Sequence, residues 1–177
     1  LDAGKTEREA AIKAVELAKK AGFSEFVVGK KYKAGDKVYY LNRGKALILA
    51  VIGKESIDKG VKILAAHIDS PRLDLKQNPL YEDNELAFFK THYYGGIKKY
   101  QWTTIPLALH GVIVKGDGSV VEVCIGEKDD EPVFVVTDLL PHLAQEQMKR
   151  PANKIITGEE LNILIGSRPF KDDEASE

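Results

Sequence analysis

Two uninterrupted apolar runs, Ala46–Ile52 (ALILAVI) and Val61–Ala66 (VKILAA), constrain the fold more than any other feature of the chain. Runs of this length without polar alternation predict strands covered on both faces, the condition of central strands in an α/β sheet. A helix precedes them. Thr6 and Glu9 have capping-box spacing, and Ala10, Ala11, Ala14, Val15, Leu17, Ala18 and Ala21 form one apolar stripe that Gly22 ends. With 44% hydrophobic and 30% charged residues, 177 residues suffice for a sizeable core. The expected class is therefore α/β.

The later part of the chain has another character. Val38–Leu41 reads as a strand leading into an Asn42-Arg43-Gly44-Lys45 turn, Pro79–Glu85 as a polar loop and Leu86–Thr91 as a strand. A break is expected at His92-Tyr93-Tyr94-Gly95-Gly96. Leu109–Lys115 and Val120–Ile125 flank Gly116-Asp117-Gly118-Ser119, the signature of a hairpin. Glu127–Glu131 is an acidic loop, Val133–Thr137 and Leu161–Ile165 are strands, residues 139–149 hold a short helix, and Lys171–Glu177 is a frayed acidic tail. Two lobes follow, one spanning residues 1–88 and a β-rich one spanning 89–177.

Charge and cysteine content exclude several function classes. Lys plus Arg (26) nearly balances Asp plus Glu (27), so no global attraction to nucleic acid or an anionic membrane is expected. The single cysteine, Cys124, excludes an intrachain disulfide framework and a Cys-ligated cluster; its place in a strand predicts a small buried apolar role. No apolar run approaches the ~20 residues of a membrane span, and the opening LDAGKTEREAAIK lacks the apolar core of a signal peptide. A soluble cytoplasmic protein is the expectation.

The second apolar run ends in His67-Ile68-Asp69-Ser70-Pro71. On an extended segment, residues i and i+2 project to the same side. A neutral imidazole binds metal through one nitrogen while its other N–H donates to a carboxylate that sets tautomer and orientation. His67 and Asp69 therefore have the spacing of a metal ligand and its orienting carboxylate, although bare H-x-D more often marks a satisfied structural histidine. His92 and His110 have no partner at ligand spacing, and His142 after Pro141 suits a helix cap. Ser70 lacks both a nucleophile elbow and room for a relay with its sequence neighbours. Asp117 belongs to a turn, and Asp129-Asp130-Glu131 reads as a solvated loop.

The longer string Ala65-Ala66-His67-Ile68-Asp69-Ser70-Pro71-Arg72-Leu73-Asp74-Leu75-Lys76 resembles the AHxDSPxLxLK signature of the aspartyl aminopeptidase family. Gly4–Glu9 (GKTERE), Tyr94-Gly95-Gly96 with Trp102, and Pro141-His142-Leu143-Ala144 resemble further family segments in family order. The resemblance implies the N-terminal part of a zinc-peptidase α/β catalytic domain (residues 1–88), followed by a β-rich inserted dimerisation domain (89–177). It implies a metalloexopeptidase that removes N-terminal, preferentially acidic residues from peptides. The complete enzyme would hold two Zn2+ per active site, with His67 a zinc ligand and Asp69 its orienting carboxylate. Dimers would assemble into a dodecamer. Two departures accompany it. Family proteins are more than twice this length and carry their remaining zinc ligands and general base beyond the inserted lobe, so this chain by itself is expected to be inactive. Some relatives also have a histidine where Glu146 stands. An oligomerisation module without its own activity is the alternative, and a small-molecule binding domain with an incidental H-x-D is a third reading.

Overall fold

A computed structural model describes residues 2–168; the expected frayed tail at Lys171–Glu177 lies outside them. The chain divides after Ser70 into two compact units. That division precedes the expected boundary at 88/89, which would cut between Phe88 and Phe89 inside one strand.

The first unit starts with helix α1 (Glu7–Lys20). The Thr6 hydroxyl accepts from the Glu9 amide, and the Glu9 carboxylate accepts from the Thr6 amide, completing the capping box. Gly22 follows at φ 85, as the helix end requires. Strands β1 (Ser24–Glu25), β2 (Lys37–Asn42) and β3 (Ala46–Val51) form a sheet in that order. β1 runs parallel to β2, and β2–β3 is a hairpin turned by Arg43 and Gly44 in left-handed conformations. Ala11 and Ala18 of the helix and Val38 and Tyr39 of β2 are buried, so α1 covers one side of this sheet.

The two apolar runs depart from expectation. β3 forms, but Ile48, Leu49 and Val51 remain exposed, and it is an edge of its sheet. Val61–Ala66 forms no strand, and Val61, Ile63 and Leu64 are exposed. An extended segment becomes a strand only when a neighbour takes up its amide and carbonyl groups. No described strand lies beside residues 61–66.

The second unit is built on β4 (Arg72–Asp83), β5 (Leu86–Tyr94), β8 (Val135–Val136) and β9 (Ile163–Gly166), ordered β4-β5-β9-β8 with every neighbour antiparallel. The expected loop at Pro79–Glu85 is mostly strand. Pro79 sits on edge strand β4, where the register slips between Leu75 and Leu80, a position that tolerates a missing amide. Asn84 and Glu85, both at positive φ, make the turn instead. The expected break at His92 moves to Gly95, because β5 continues through Tyr94. Val136, Ile156, Leu161 and Ile163 form the core, with Leu73, Phe89, Tyr93 and Trp102 packed around them. The buried Thr91 hydroxyl donates to the Leu161 carbonyl.

Strands β6 (Leu109–Val114) and β7 (Val120–Ile125) form the expected hairpin as a separate two-stranded sheet. Cys124 is exposed on it rather than buried, since no described element covers that position. Helix α2 is a single turn, Gln145–Met148.

Candidate functional site

His67 and Asp69 lie in the irregular segment between β3 and β4. His67 Nδ1 is 3.1 Å from Asp69 Oδ1 and 3.1 Å from the Asp69 backbone oxygen. Both neighbours are acceptors, so in the neutral ring the tautomer that fits carries its proton on Nδ1 and leaves the lone pair on Nε2. The His67 side chain is 83% exposed, while that of Asp69 is 35% exposed. The pair is thus an imidazole oriented by a carboxylate, with its second nitrogen accessible from solvent. The contact forms outside any regular strand.

The other histidines have different surroundings. His110 Nε2 is 2.7 Å from Glu127 Oε1, with both side chains largely covered, a pairing between residues far from ligand spacing in the sequence. Seventeen residues separate the two; hairpin register joins them, with Leu109 opposite Ile125. His92 lies opposite Asp74 across β4–β5, and its ring stacks on that of Tyr93. His142 is exposed, and α2 begins three residues after it with no side-chain cap, so the capping role is not realised.

The acidic loop is not an open cation site. Glu131 Oε2 accepts from the amides of Gly126, Glu127 and Lys128, and Oε1 pairs with Lys128 Nζ at 2.9 Å. The Lys128 ammonium and these amides hold the Glu131 carboxyl down to about 2.

Downstream of the H-x-D pair, Arg72 Nε donates to Asp74 Oδ1 at 2.7 Å, and its guanidinium carbon lies 4.0 Å from the Tyr94 ring centroid. Sequence reasoning gave Arg72 and Tyr94 no role. The available signal was the strand alternation that puts Arg72 and Asp74 on one face.

Among the described residues, no three or more His, Cys, Asp or Glu side chains gather as a metal cluster. A catalytic zinc site usually takes three protein ligands and an open position. The donor chemistry of His67 and Asp69 therefore fits one ligand and its orienter, not a complete zinc site.

The model of the aminopeptidase I zinc metalloprotease family, M18, matches residues 1–177. A probable M18 family aminopeptidase 1 of Clostridium acetobutylicum is 61% identical over 174 residues, covering 96% of this chain and 37% of the relative. The crystal structure of an M18 aminopeptidase from Thermotoga maritima superposes with a TM-score of 0.88 at 42% identity, covering 97% of this chain and 38% of that one. A yeast (S. cerevisiae) protein solved as a dodecamer shares the fold, with a TM-score of 0.64 at 21% identity over 97% of this chain and 37% of that chain. The chain thus spans about 37% of the length of the curated relatives it matches. With the matched residues running from one end of the sequence to the other, the chain belongs to the M18 family of zinc metalloprotease aminopeptidases.

Proposed function

We propose that this chain is the amino-terminal part of a zinc aminopeptidase, contributing one zinc ligand, His67 through Nε2, and its orienting carboxylate, Asp69. The observation that carries the reading is the His67 Nδ1 to Asp69 Oδ1 contact of 3.1 Å within AAHIDSPRLDLK, with the outer imidazole nitrogen accessible. Zinc, when bound, acts as a Lewis acid on the scissile carbonyl and lowers the pKa of the attacking water. The Asp69 contact favours the Nδ1–H tautomer of the neutral ring, whose Nε2 lone pair then faces the ion.

The remaining ligands, the second zinc and the general base come, in this reading, from protein beyond the matched 37% of its relatives. The substrates are peptides with acidic N-terminal residues, and the enzyme works in the cytoplasm. The first part of the chain belongs to the catalytic domain and the later, β-rich part to dimerisation, with dimers building a dodecamer. Exposed Ile113, Val114, Val120 and Val121 on the β6–β7 hairpin support a pairing surface there.

The test uses a protein of the relatives' full length that carries this segment. His67→Ala is expected to lose bound zinc and turnover, read by elemental analysis and peptide hydrolysis. Asp69→Asn should keep the fold and lose about 10–100-fold in zinc affinity or activity. Full zinc content and turnover in His67→Ala would overturn the reading. The 177-residue chain alone is expected to hydrolyse no peptide, because it offers one ligand where a site needs at least about three.

A further inference from the structure

Over the whole chain 26 Lys and Arg nearly balance 27 Asp and Glu, but the loop between β1 and β2 does not share that balance. Residues 26–37 carry Lys30, Lys31, Lys33 and Lys37 against one acid, Asp36, whose Oδ2 accepts from the Lys33 amide at 2.9 Å. Among the described residues no carboxylate pairs with any of these lysines. The loop is braced. Gly29, at φ +80, lets the chain turn so that the Lys30 amide donates to the Val27 carbonyl at 3.2 Å. The Phe26 and Tyr32 rings stack with centroids 5.4 Å apart, and the Tyr32 hydroxyl accepts from the Val27 amide at 2.7 Å. The Lys30 ammonium lies over the Tyr32 ring, 5.3 Å from its centroid. At the loop's base, backbone bonds of 2.9 Å tie Gly35 and Asp36 to Ile52.

This loop forms one wall of a cavity of about 380 Å³, whose lining includes Ala21, Ser24, Lys30, Tyr32, Asp36 and Lys37. Lys37 Nζ donates to the Ala21 carbonyl at 3.1 Å, which engages one of its three protons. The Tyr32 hydroxyl accepts from the loop and still has its own proton to donate. At the turn, Val27 is 54% and Val28 85% exposed. Cationic and hydroxyl donors thus stand around a cavity beside an aliphatic tip.

We propose that this loop and cavity bind an acidic linear segment of a partner protein. Its carboxylates are held by Lys30, Lys37 and the Tyr32 hydroxyl, and a neighbouring aliphatic side chain rests on Val27 and Val28. Charge complementarity selects the occupant, because ammonium groups gathered on one short loop repel cations and attract carboxylates. The cavity lies at the small end of the ~300–1,000 Å³ range of ligand sites and suits one or two side chains. A flat bilayer surface would span it without filling it. The braced loop keeps its shape on binding, so little ordering cost opposes association. The proposal is independent of the zinc reading, since it uses neither His67 nor Asp69.

The experiment uses the protein of the relatives' full length and an N-acetylated, fluorescein-labelled peptide of alternating Glu and Val, with anisotropy as the readout. The parent should bind with a Kd below ~100 μM and lose affinity as salt screens the charges. Lys30→Glu and Lys37→Glu should each weaken binding about tenfold through like-charge repulsion. Val28→Asp should weaken it in the same direction, and hydrolysis of a short peptide substrate should not change in any of the three. Lys37 also bonds the end of α1, so Lys30→Glu and Val28→Asp decide the matter if Lys37→Glu fails to fold. Binding within twofold of the parent in those two variants overturns the proposal, as does equal binding of a Lys–Val peptide. Lys30-dependent binding of phosphatidylserine vesicles or of inorganic phosphate, in place of the peptide, would assign the site to a membrane or a small anion and overturn it as well. Absence of peptide binding also overturns it, and protection of Lys30 from acetylation would then show that the rest of the full-length chain fills the cavity.

Discussion

Among single residues, Glu131 gives the clearest dependence on solution conditions. Its carboxylate accepts three backbone amides and pairs with Lys128, so its folded pKa drops to about 2 from an ordinary value of 4.5. A depressed carboxyl pKa contributes stability that is present above the unfolded value and lost as pH falls through the folded one. The loop at residues 126–131 should therefore stay closed at neutral pH and loosen between about pH 4.5 and 2. Glu131→Gln should remove that dependence and expose the Gly126 and Glu127 amides to faster hydrogen exchange at pH 7. Equal exchange in the variant and parent would refute the clamp. What could be read in advance at this scale depended on sequence distance. The His67–Asp69 contact spans two residues and is local, whereas His110–Glu127 spans seventeen and depends on a hairpin register that no local pattern states. Glu131 looked like one acid in a solvated run because, beside Lys128 Nζ, its partners are backbone amides, which leave no trace in side-chain identity.

Elements with local signals formed where those signals stand. Thr6 and Glu9 start α1, and the glycine-rich turn closes β6 on β7. Thr6→Ala should cost ~1 kcal/mol, measured by urea unfolding, because the Glu9 amide loses its hydroxyl acceptor while the position-6 amide can still donate to the Glu9 carboxylate. Gly126 is a sharper case. It holds φ +97, and a Cβ would meet Ala108 Cα at 3.2 Å and the Pro132 carbonyl at 3.3 Å. Gly126→Ala is expected to cost about 1–3 kcal/mol and to shift the hairpin's amide resonances; an unshifted spectrum and unchanged unfolding midpoint would contradict it. The elements that sequence reasoning missed were decided by pairing. Pro79–Glu85 looked like a loop because its residues are polar and one is proline. It became strand because β5 pairs with it as far as Asp83 and a register slip accommodates Pro79. Conversely, Val61–Ala66 had the composition of a buried strand and has no neighbour among the described strands to make it one.

For the whole molecule, the second unit's stability centres on Val136, Ile156, Leu161 and Ile163. Leu161 is fully buried among them, so Leu161→Ala should lose about 2–5 kcal/mol, read from the denaturation midpoint. The open β6–β7 hairpin carries the second expectation: light scattering should show a discrete dimer or a multiple of dimers. A stable monomer at roughly 100 μM would exclude even a contact of about −8 kcal/mol. The unpaired stretch at Val61, Ile63 and Leu64 has a further consequence. Proteases need an accessible backbone outside regular structure in their clefts, and residues 61–66 offer one beside apolar side chains that thermolysin-like enzymes favour. Limited digestion of the 177-residue chain should nick it first there, separating the capped helix from the H-x-D pair. The same stretch in the full-length protein should resist cutting, so a single gel band would report whether the rest of the protein has closed over it.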